Sequence, residues 1–428
     1  MSDFELDHPE HIGTPTIYDV NRDKYRPIKS SDFSGGDGGT DAFGRLRTSD
    51  PEMIFNSKQL FDNQPLYWDD IQESGSGTSS THSTNTASTT LSVSTNTAGK
   101  RTRQTKMYFN YQASKSQLIF ITGVLKYSGG GAGITTRMGY FDDNNGLFLE
   151  CNAGTINLIR RTYVTGSAVD DVIPQSSWNL DKMDGTGASG VTLDFTKTQI
   201  FMIDFEWLGV GRVRFGFNVG GVTYYVHELS AANSLTTVYM STPNLPLRYQ
   251  IINDGTGIAS SINCICSAVI SEGGREETAS NGYLSTGATP VSCNNGYNNA
   301  VISMRLKNSY KGCTVDVIDI SLMTTSNDYY EWNMILNPSG VGGLTYTGIT
   351  NSAIERAIAP TNTYVSGGYT VAGGYGNSKS EIAGDQFKNL LKIGSSITGQ
   401  MDTLVLTCRP LGNSPSVTYA ALNFREFN

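Results

Sequence analysis

Residues 198–227, TQIFMIDFEWLGVGRVRFGFNVGGVTYYVH, constrain the fold more than any other stretch of the chain. Read at period two, Phe201, Ile203, Phe205 and Trp207 share one face, while Ile200, Met202, Asp204 and Glu206 share the other. The pattern repeats with Val213, Phe215, Phe217 and Val219 inward and Arg212, Arg214, Gly216 and Asn218 outward. A third run, Val222, Tyr224 and Val226, follows Gly220-Gly221. Alternation of this kind, interrupted by glycine turns that accept positive φ, predicts a meander of half-buried antiparallel strands. Such a meander fixes a body and names no chemistry.

The composition extends this reading to the whole chain. With 428 residues, 47 Gly, 22 Tyr, 17 Phe and only 16% charged residues, the sequence suits strands and turns rather than a helical bundle. The fold class expected is all-β: two jelly-roll-like β-sandwiches behind an extended N-terminal arm. The division expected is 1–72 for the arm, 73–274 for the first sandwich and 275–428 for a smaller second one. Ser271-Glu272-Gly273-Gly274-Arg275-Glu276-Glu277 marks the boundary, because the β pattern stops there and a polar run begins.

Further strands are predicted over 107–112, 117–125, 134–140, 147–151, 155–163, 247–252 and 261–271. In the second half they are predicted over 301–306, 314–323, 329–336, 404–408 and 418–424. The string DQFKNLLK at 385–392 predicts one short helix, with Gly394 as its stop. Residues 73–99 are dominated by Ser and Thr and read either as a linker or as an exposed hairpin. Leu91 and Val93 share a phase, which favours the hairpin. The basic run 100–106 alternates charge with Thr and Gln, the pattern of a solvated strand face.

The arm is sparse in apolar residues up to Phe43, then rich in aromatics without a clean period. A segment of that kind must cover its own body or dock on a neighbour. Phe43, Arg45, Leu46, Arg47, Phe55, Phe61, Tyr67 and Trp68 are its candidate interface residues.

No reactive constellation stands out. His8, His11 and His82 lie in polar segments, and His227 ends a predicted strand. The chain lacks a GxSxG elbow, and Gly373-Gly374-Tyr375-Gly376-Asn377-Ser378-Lys379-Ser380 lacks the Gly-Lys-Ser/Thr end of a phosphate loop. No catalytic residue, cofactor or metal ligand is therefore assigned. The turns Asp142-Asp143-Asn144-Asn145 and Asp181…Asp184 carry the oxygens a calcium ion takes, but such residues are expected in hairpin turns anyway. Cys151, Cys264, Cys266, Cys293, Cys313 and Cys408 have neither disulfide-framework nor zinc-ribbon spacing, and read as free thiols. A net charge of −8 argues against a nucleic-acid partner. The N-terminal MSDFELDHPEH has no basic or apolar signal region, and no apolar run is long enough to span a membrane, which predicts a soluble chain made without a Sec-type signal.

Three strings carry a resemblance. Trp178-Asn179-Leu180-Asp181-Lys182-Met183-Asp184-Gly185 with Gly211-Arg212-Val213-Arg214-Phe215-Gly216, Asp41-Ala42-Phe43-Gly44-Arg45-Leu46-Arg47, and Trp332-Asn333-Met334-Ile335-Leu336-Asn337-Pro338 resemble uncharacterised virion structural proteins of tailed bacteriophages. The resemblance implies a virion component assembled in the host cytoplasm, with copies of itself and other virion proteins as partners. It brings no catalytic residues. At fold level the central strands are also similar to concanavalin and laminin-G jelly rolls, many of which bind glycans. The alternative expectation is thus a receptor-binding or decoration module for host polysaccharide, with surface aromatics such as Tyr224 and Tyr225 as stacking groups. A depolymerase would need two convergent carboxylates, and the sequence singles out no pair.

Overall fold

The computed structural model describes residues 16–19, 24–27, 50–273, 279–325, 329–377 and 392–427. Contacts divide the chain into two units, residues 1–51 and residues 52–428. The first contains one antiparallel hairpin, β1 (Thr16–Asp19) with β2 (Lys24–Pro27).

The larger unit opens with β3 (Pro51–Lys58), β4 (Trp68–Gly75), β5 (Thr78–Ser83), β6 (Ser88–Val93) and β7 (Gly99–Thr105). It continues through β8 (Ser116–Ser128), β9 (Ile134–Phe141), β10 (Gly146–Asn152), β11 (Thr155–Thr162) and β12 (Val169–Pro174). Next come β13 (Gln199–Phe205), β14 (Arg212–Val219), β15 (Val222–Ser230), β16 (Leu247–Asn253) and β17 (Ser260–Glu272). These strands form a seven-stranded sheet, β12-β11-β10-β9-β16-β7-β4, and an eight-stranded one, β15-β14-β13-β8-β17-β6-β5 with β3 also on β17.

The distal strands are β18 (Ser280–Ser285), β19 (Val291–Cys293), β20 (Asn299–Leu306), β21 (Thr314–Thr324) and β22 (Tyr330–Leu336). They end with β23 (Thr347–Gly348), β24 (Ile354–Ile358), β25 (Tyr369–Gly376), β26 (Thr403–Pro410) and β27 (Ser416–Phe427). A four-stranded sheet around β27 faces a six-stranded one, β23-β24-β20-β26-β22-β25. The fold is all-β and of the jelly-roll sandwich class. Its helical content among the described residues is two 3₁₀ turns, at Gln175–Ser177 and Asn308–Tyr310.

Buried side chains gather into two large apolar clusters, one drawn from residues 55–269 and the other from 284–424. The meander supplies the first with Phe201, Ile203, Phe205, Val213, Phe215 and Phe217. Each buried ring contributes about 2–3 kcal/mol by leaving water. Phe201 stacks on Phe215 at 6.2 Å, and the register pairs Phe201 with Phe217 and Ile203 with Phe215. A bulge at Phe215/Gly216 then shifts β15, so Val222 is exposed while Val226 and His227 are buried.

Several expectations are corrected. Residues 51–72, assigned to the arm, instead supply β3 and β4 to the two sheets. Residues 107–112 are not a strand. Phe109 makes a single bridge to Leu245, and its ring plugs the core between Phe55 and Tyr140. The basic run 100–106 is β7, an interior strand between β16 and β4, and Arg103 on it is fully buried. Met202 and Asp204, on the face opposite Phe201, Ile203 and Phe205, are buried as well. The Ser/Thr-rich segment forms the β5–β6 hairpin, with β6 turned to the core through Leu91 and Val93. The helix expected at 385–392 lies outside the described residues except for Lys392.

Candidate interaction surfaces

The candidate interface residues separate into three groups. Phe43, Arg45, Leu46 and Arg47 lie outside the described residues. Phe55 and Trp68 are core residues of their own sandwich, which corrects their assignment to an interface. Phe55 packs 5.1 Å from Phe109, and the Trp68 ring lies 6.0 Å from Tyr249 with its Nε1–H donated to Ser57 Oγ. Phe61 and Tyr67 remain on the surface of the β3–β4 loop. Phe61 is 88% exposed, and Met53, Leu60 and Tyr67 are exposed with it.

The outer face of the seven-stranded sheet carries a polar row that crosses five strands in register. Thr102, Gln250, Arg137, Glu150 and Asn157 are cross-strand partners in turn. Arg137 Nε donates to Glu150 at 2.8 Å and its Nη1 to Gln250 Oε1 at 3.0 Å. Gln250 Nε2 donates to Thr102 Oγ1 at 3.0 Å, and Thr102 in turn donates to Glu73. The row closes on itself. Its groups spend their hydrogen bonds within the sheet, as buried polar networks must.

The carboxylates considered for metal binding are likewise taken up by the protein. Asp142 accepts the N–H groups of Asn144 and Asn145 at 2.8 and 2.9 Å and pairs with Lys311 at 3.0 Å. Burial works to raise the Asp181 carboxyl, but N–H donors from Ser189 and Met183 outweigh it and hold it below the usual range. Asp204 accepts from Ser116, Arg214 and Tyr225, which makes it the hub of a structural cluster. Burial first, and the Asp204 charge second, push Tyr225 up to about 12. His227 is a core residue whose Nδ1 accepts the Asn179 N–H at 3.2 Å. All six cysteines are free, and five are buried.

Two of the shielded polar atoms left without a hydrogen-bond partner among the described residues, Asn298 Oδ1 and Arg409 Nε, belong to the outer face of the six-stranded distal sheet. On β22, Tyr330, Trp332, Met334 and Leu336 point into the core, which sends Glu331 to the outer face. The register places Glu331 beside Arg409 on β26 and beside Tyr375 on β25. The facing strand accommodates the inward rings with glycines. A Cβ on Gly374 would meet the Trp332 indole at 2.9 Å, and one on Gly376 would meet the Tyr330 ring at 2.5 Å. Tyr375, between them, is left outward and 75% exposed.

The row continues to Asn298, one residue before the Asn299–Cys408 pair. Beside it Tyr364 bridges to Asn299, and the exposed rings of Tyr364 and Tyr297 lie 4.6 Å apart at 34°. Asn294 Nδ2 donates to Tyr364 Oη at 2.6 Å, and the Gly296 N–H binds Pro410 O at 3.0 Å, which fixes the loop. Three strand spacings separate Asn298 from Tyr375, about 14 Å in all. Arg409 Nη1 donates to Glu331 at 3.4 Å. Arg409 Nε and Asn298 Oδ1, in contrast, are shielded from solvent and have no hydrogen-bond partner among the described residues. An unpaired donor and an unpaired acceptor, framed by tyrosine rings, suit a ligand with hydroxyls and a flat C–H face. Sequence reading missed this face, since its glycine-rich strand was weighed only as a phosphate loop.

No group of three or more His, Cys, Asp or Glu side chains among the described residues is placed to hold a metal ion. No described helix is long and apolar enough to cross a membrane.

No family model matches the sequence, and no curated protein is significantly similar to it. Solved structures to which part of the chain is similar include an endo-1,3-beta-glucanase from Streptomyces sioyaensis, 12% identical, with 54% of this chain and 99% of that one covered at a TM-score of 0.34. The Emp47p carbohydrate recognition domain is 10% identical, with 55% and 100% covered at 0.33. The CBM2 module of Lactobacillus casei BL23 phage J-1 evolved Dit is 8% identical, with 54% and 100% covered at 0.35. At such identities and scores the likeness carries no functional assignment.

Proposed function

We propose that this chain is a non-enzymatic component of a virus particle that recognises saccharide chains through the outer face of its distal sandwich. The virion context rests on the strings around residues 41–47, 178–216 and 332–338 that resemble phage structural proteins. The observation that carries the recognition reading is the row of Asn298, Arg409, Glu331 and Tyr375, flanked by Tyr364. It combines exposed rings with a shielded donor and acceptor that no described residue satisfies. Tyrosine gives a saccharide an apolar ring face and little conformational entropy to lose, while the amide and guanidinium take its hydroxyls. Co-sedimentation of the full chain with insoluble host-envelope polysaccharide tests it. Saturable retention, lost on Arg409→Met, supports the reading; equal partition of chain and an inert control protein refutes it.

A second role, assembly, is favoured by the β3–β4 loop. Phe61 stands 88% exposed, with Leu60 and Tyr67 of the same loop exposed as well, a cost in water that an interface repays. Copies of the chain or other virion proteins are the partners this reading requires. Phe61→Asp should leave the folded body unchanged and exclude the chain from particles; normal incorporation would remove the loop from the assembly contact.

A further inference from the structure

A cleft of about 610 Å³ opens where the two sandwiches meet, within the range of small-ligand sites. Asp69 and Lys106 come to it from the first sandwich, and the loop after β22 and the segment before β26 come from the second. Its floor is held by hydrogen bonds across the junction. Ser395 N–H binds Lys106 O at 3.0 Å, and Ile397 N–H binds Asp69 Oδ2 at 2.9 Å. Asp402 accepts from Asn337 Nδ2 at 2.6 Å and from the Gly394 N–H at 2.9 Å. Asn337 adopts a φ of 48°, which turns the chain out of β22 and over the opening.

The lining is mixed in character. Pro338, Val341 and Leu344, close together in the loop after β22, give it apolar surface. Among the described residues, the Lys106 ammonium in this lining has no ion-pair or hydrogen-bond partner, and the exposed Gln400 side-chain amide is equally unengaged. Asp69 spends one lone pair of each oxygen on a backbone N–H and keeps the others. A cation and a carboxylate lining the same cleft, both with spare capacity, suit a group that accepts from one and donates to the other. A hydroxyl does both. With Asp69 and Asp402 against Lys106, the lining is net acidic, which disfavours an anionic ligand.

We propose that this cleft is a second ligand site, for a short neutral oligosaccharide whose pyranose face lies on Pro338, Val341 and Leu344. Asp69, Lys106 and Gln400 take its hydroxyls. The proposal rests on the saccharide reading above for its ligand class, but on different residues and on the opposite end of the distal sheet. Because each sandwich supplies a wall, an occupied cleft also ties the two together, so ligand raises the thermal midpoint of the whole unit.

Saturation-transfer difference NMR of the full chain with maltotriose, cellotriose and chitotriose tests the site. At least one trisaccharide should give a signal that survives Tyr364→Ala/Tyr375→Ala and falls about fivefold or more in Lys106→Met and in Gln400→Ala. Val341→Trp, which fills the cleft and leaves its polar side chains in place, should abolish the same signal. A signal lost in the tyrosine variant and kept in the cleft variants would overturn the site and leave the recognition face standing. Absence of any signal from the three sugars would overturn it too, whatever polysaccharide the chain retains on sedimentation.

Discussion

The guanidinium of Arg103 lies over the indole of Trp68, its carbon 4.8 Å from the ring centroid, with both residues buried in the first sandwich. Nη2 donates to the Asn63 carbonyl, and Asp70 stands 3.7 Å from Nη1. Nε has no hydrogen-bond partner. A buried cation of this kind is tolerated rather than stabilising, since burial presses its pKa down while the nearby thiol and carboxylate groups and Tyr249 oppose that.

Removing the two partners should therefore have unequal effects. Asp70→Asn takes the carboxylate from Arg103 and also from Arg101, which bridges it at 2.7 Å, and should cost about 3 kcal/mol. Arg103→Met leaves Asp70 its Arg101 partner and should change stability by no more than about 1 kcal/mol. Urea unfolding midpoints of the two variants check this. Equal losses would show that Arg103 contributes net stability.

His227 should make the fold acid-sensitive. Burial lowers its pKa below the ordinary value, against the weaker upward pull of Asp171 and Glu228. The unfolded chain therefore binds the proton more readily. The stability this group contributes is present above the unfolded value of about 6.5 and is lost as pH falls through the lower folded value. Wild type should lose more stability than His227→Gln between pH 7.5 and pH 5.5. Equal losses would exclude His227 as the titrating group.

Thiol accessibility should single out one cysteine. Cys266 is half-buried, while Cys151, Cys264, Cys293, Cys313 and Cys408 are buried. Burial raises the pKa of Cys266, which slows its reaction as well. Native alkylation followed by peptide mapping should find slow modification at Cys266, with the other five protected until the chain is unfolded. Early labelling of Cys293 or Cys408 would mean that the distal core opens in the native state.

Much of the sandwich was legible where one face of a strand meets the core and the other meets solvent. Phe201, Ile203, Phe205, Phe215 and Phe217 betray β13 and β14 by alternation alone, as Trp332 and Met334 betray β22. Where both faces are buried, alternation no longer separates inside from outside. Arg103 looked solvated because nothing local says that β7 lies between β16 and β4. Trp68 looked available because its partners, Tyr249 and Arg103, are distant in sequence. The distal recognition face was hidden for a related reason. Gly374 and Gly376 read as turn residues, and only the pairing of β25 with β22 shows that they make room for Trp332 and Tyr330. The arm residues Phe43 to Arg47 lie outside the described residues.

The central claim is that Tyr364 and Tyr375 frame a saccharide site on the distal sheet. Titration of host-envelope polysaccharide fragments into wild type, Tyr364→Ala, Tyr375→Ala and the double variant measures it directly. Each ring should contribute about 1–1.5 kcal/mol, so each single substitution should weaken binding about tenfold and the double about a hundredfold, with thermal stability unchanged in Tyr375→Ala. Wild-type affinity in the double variant would contradict the account.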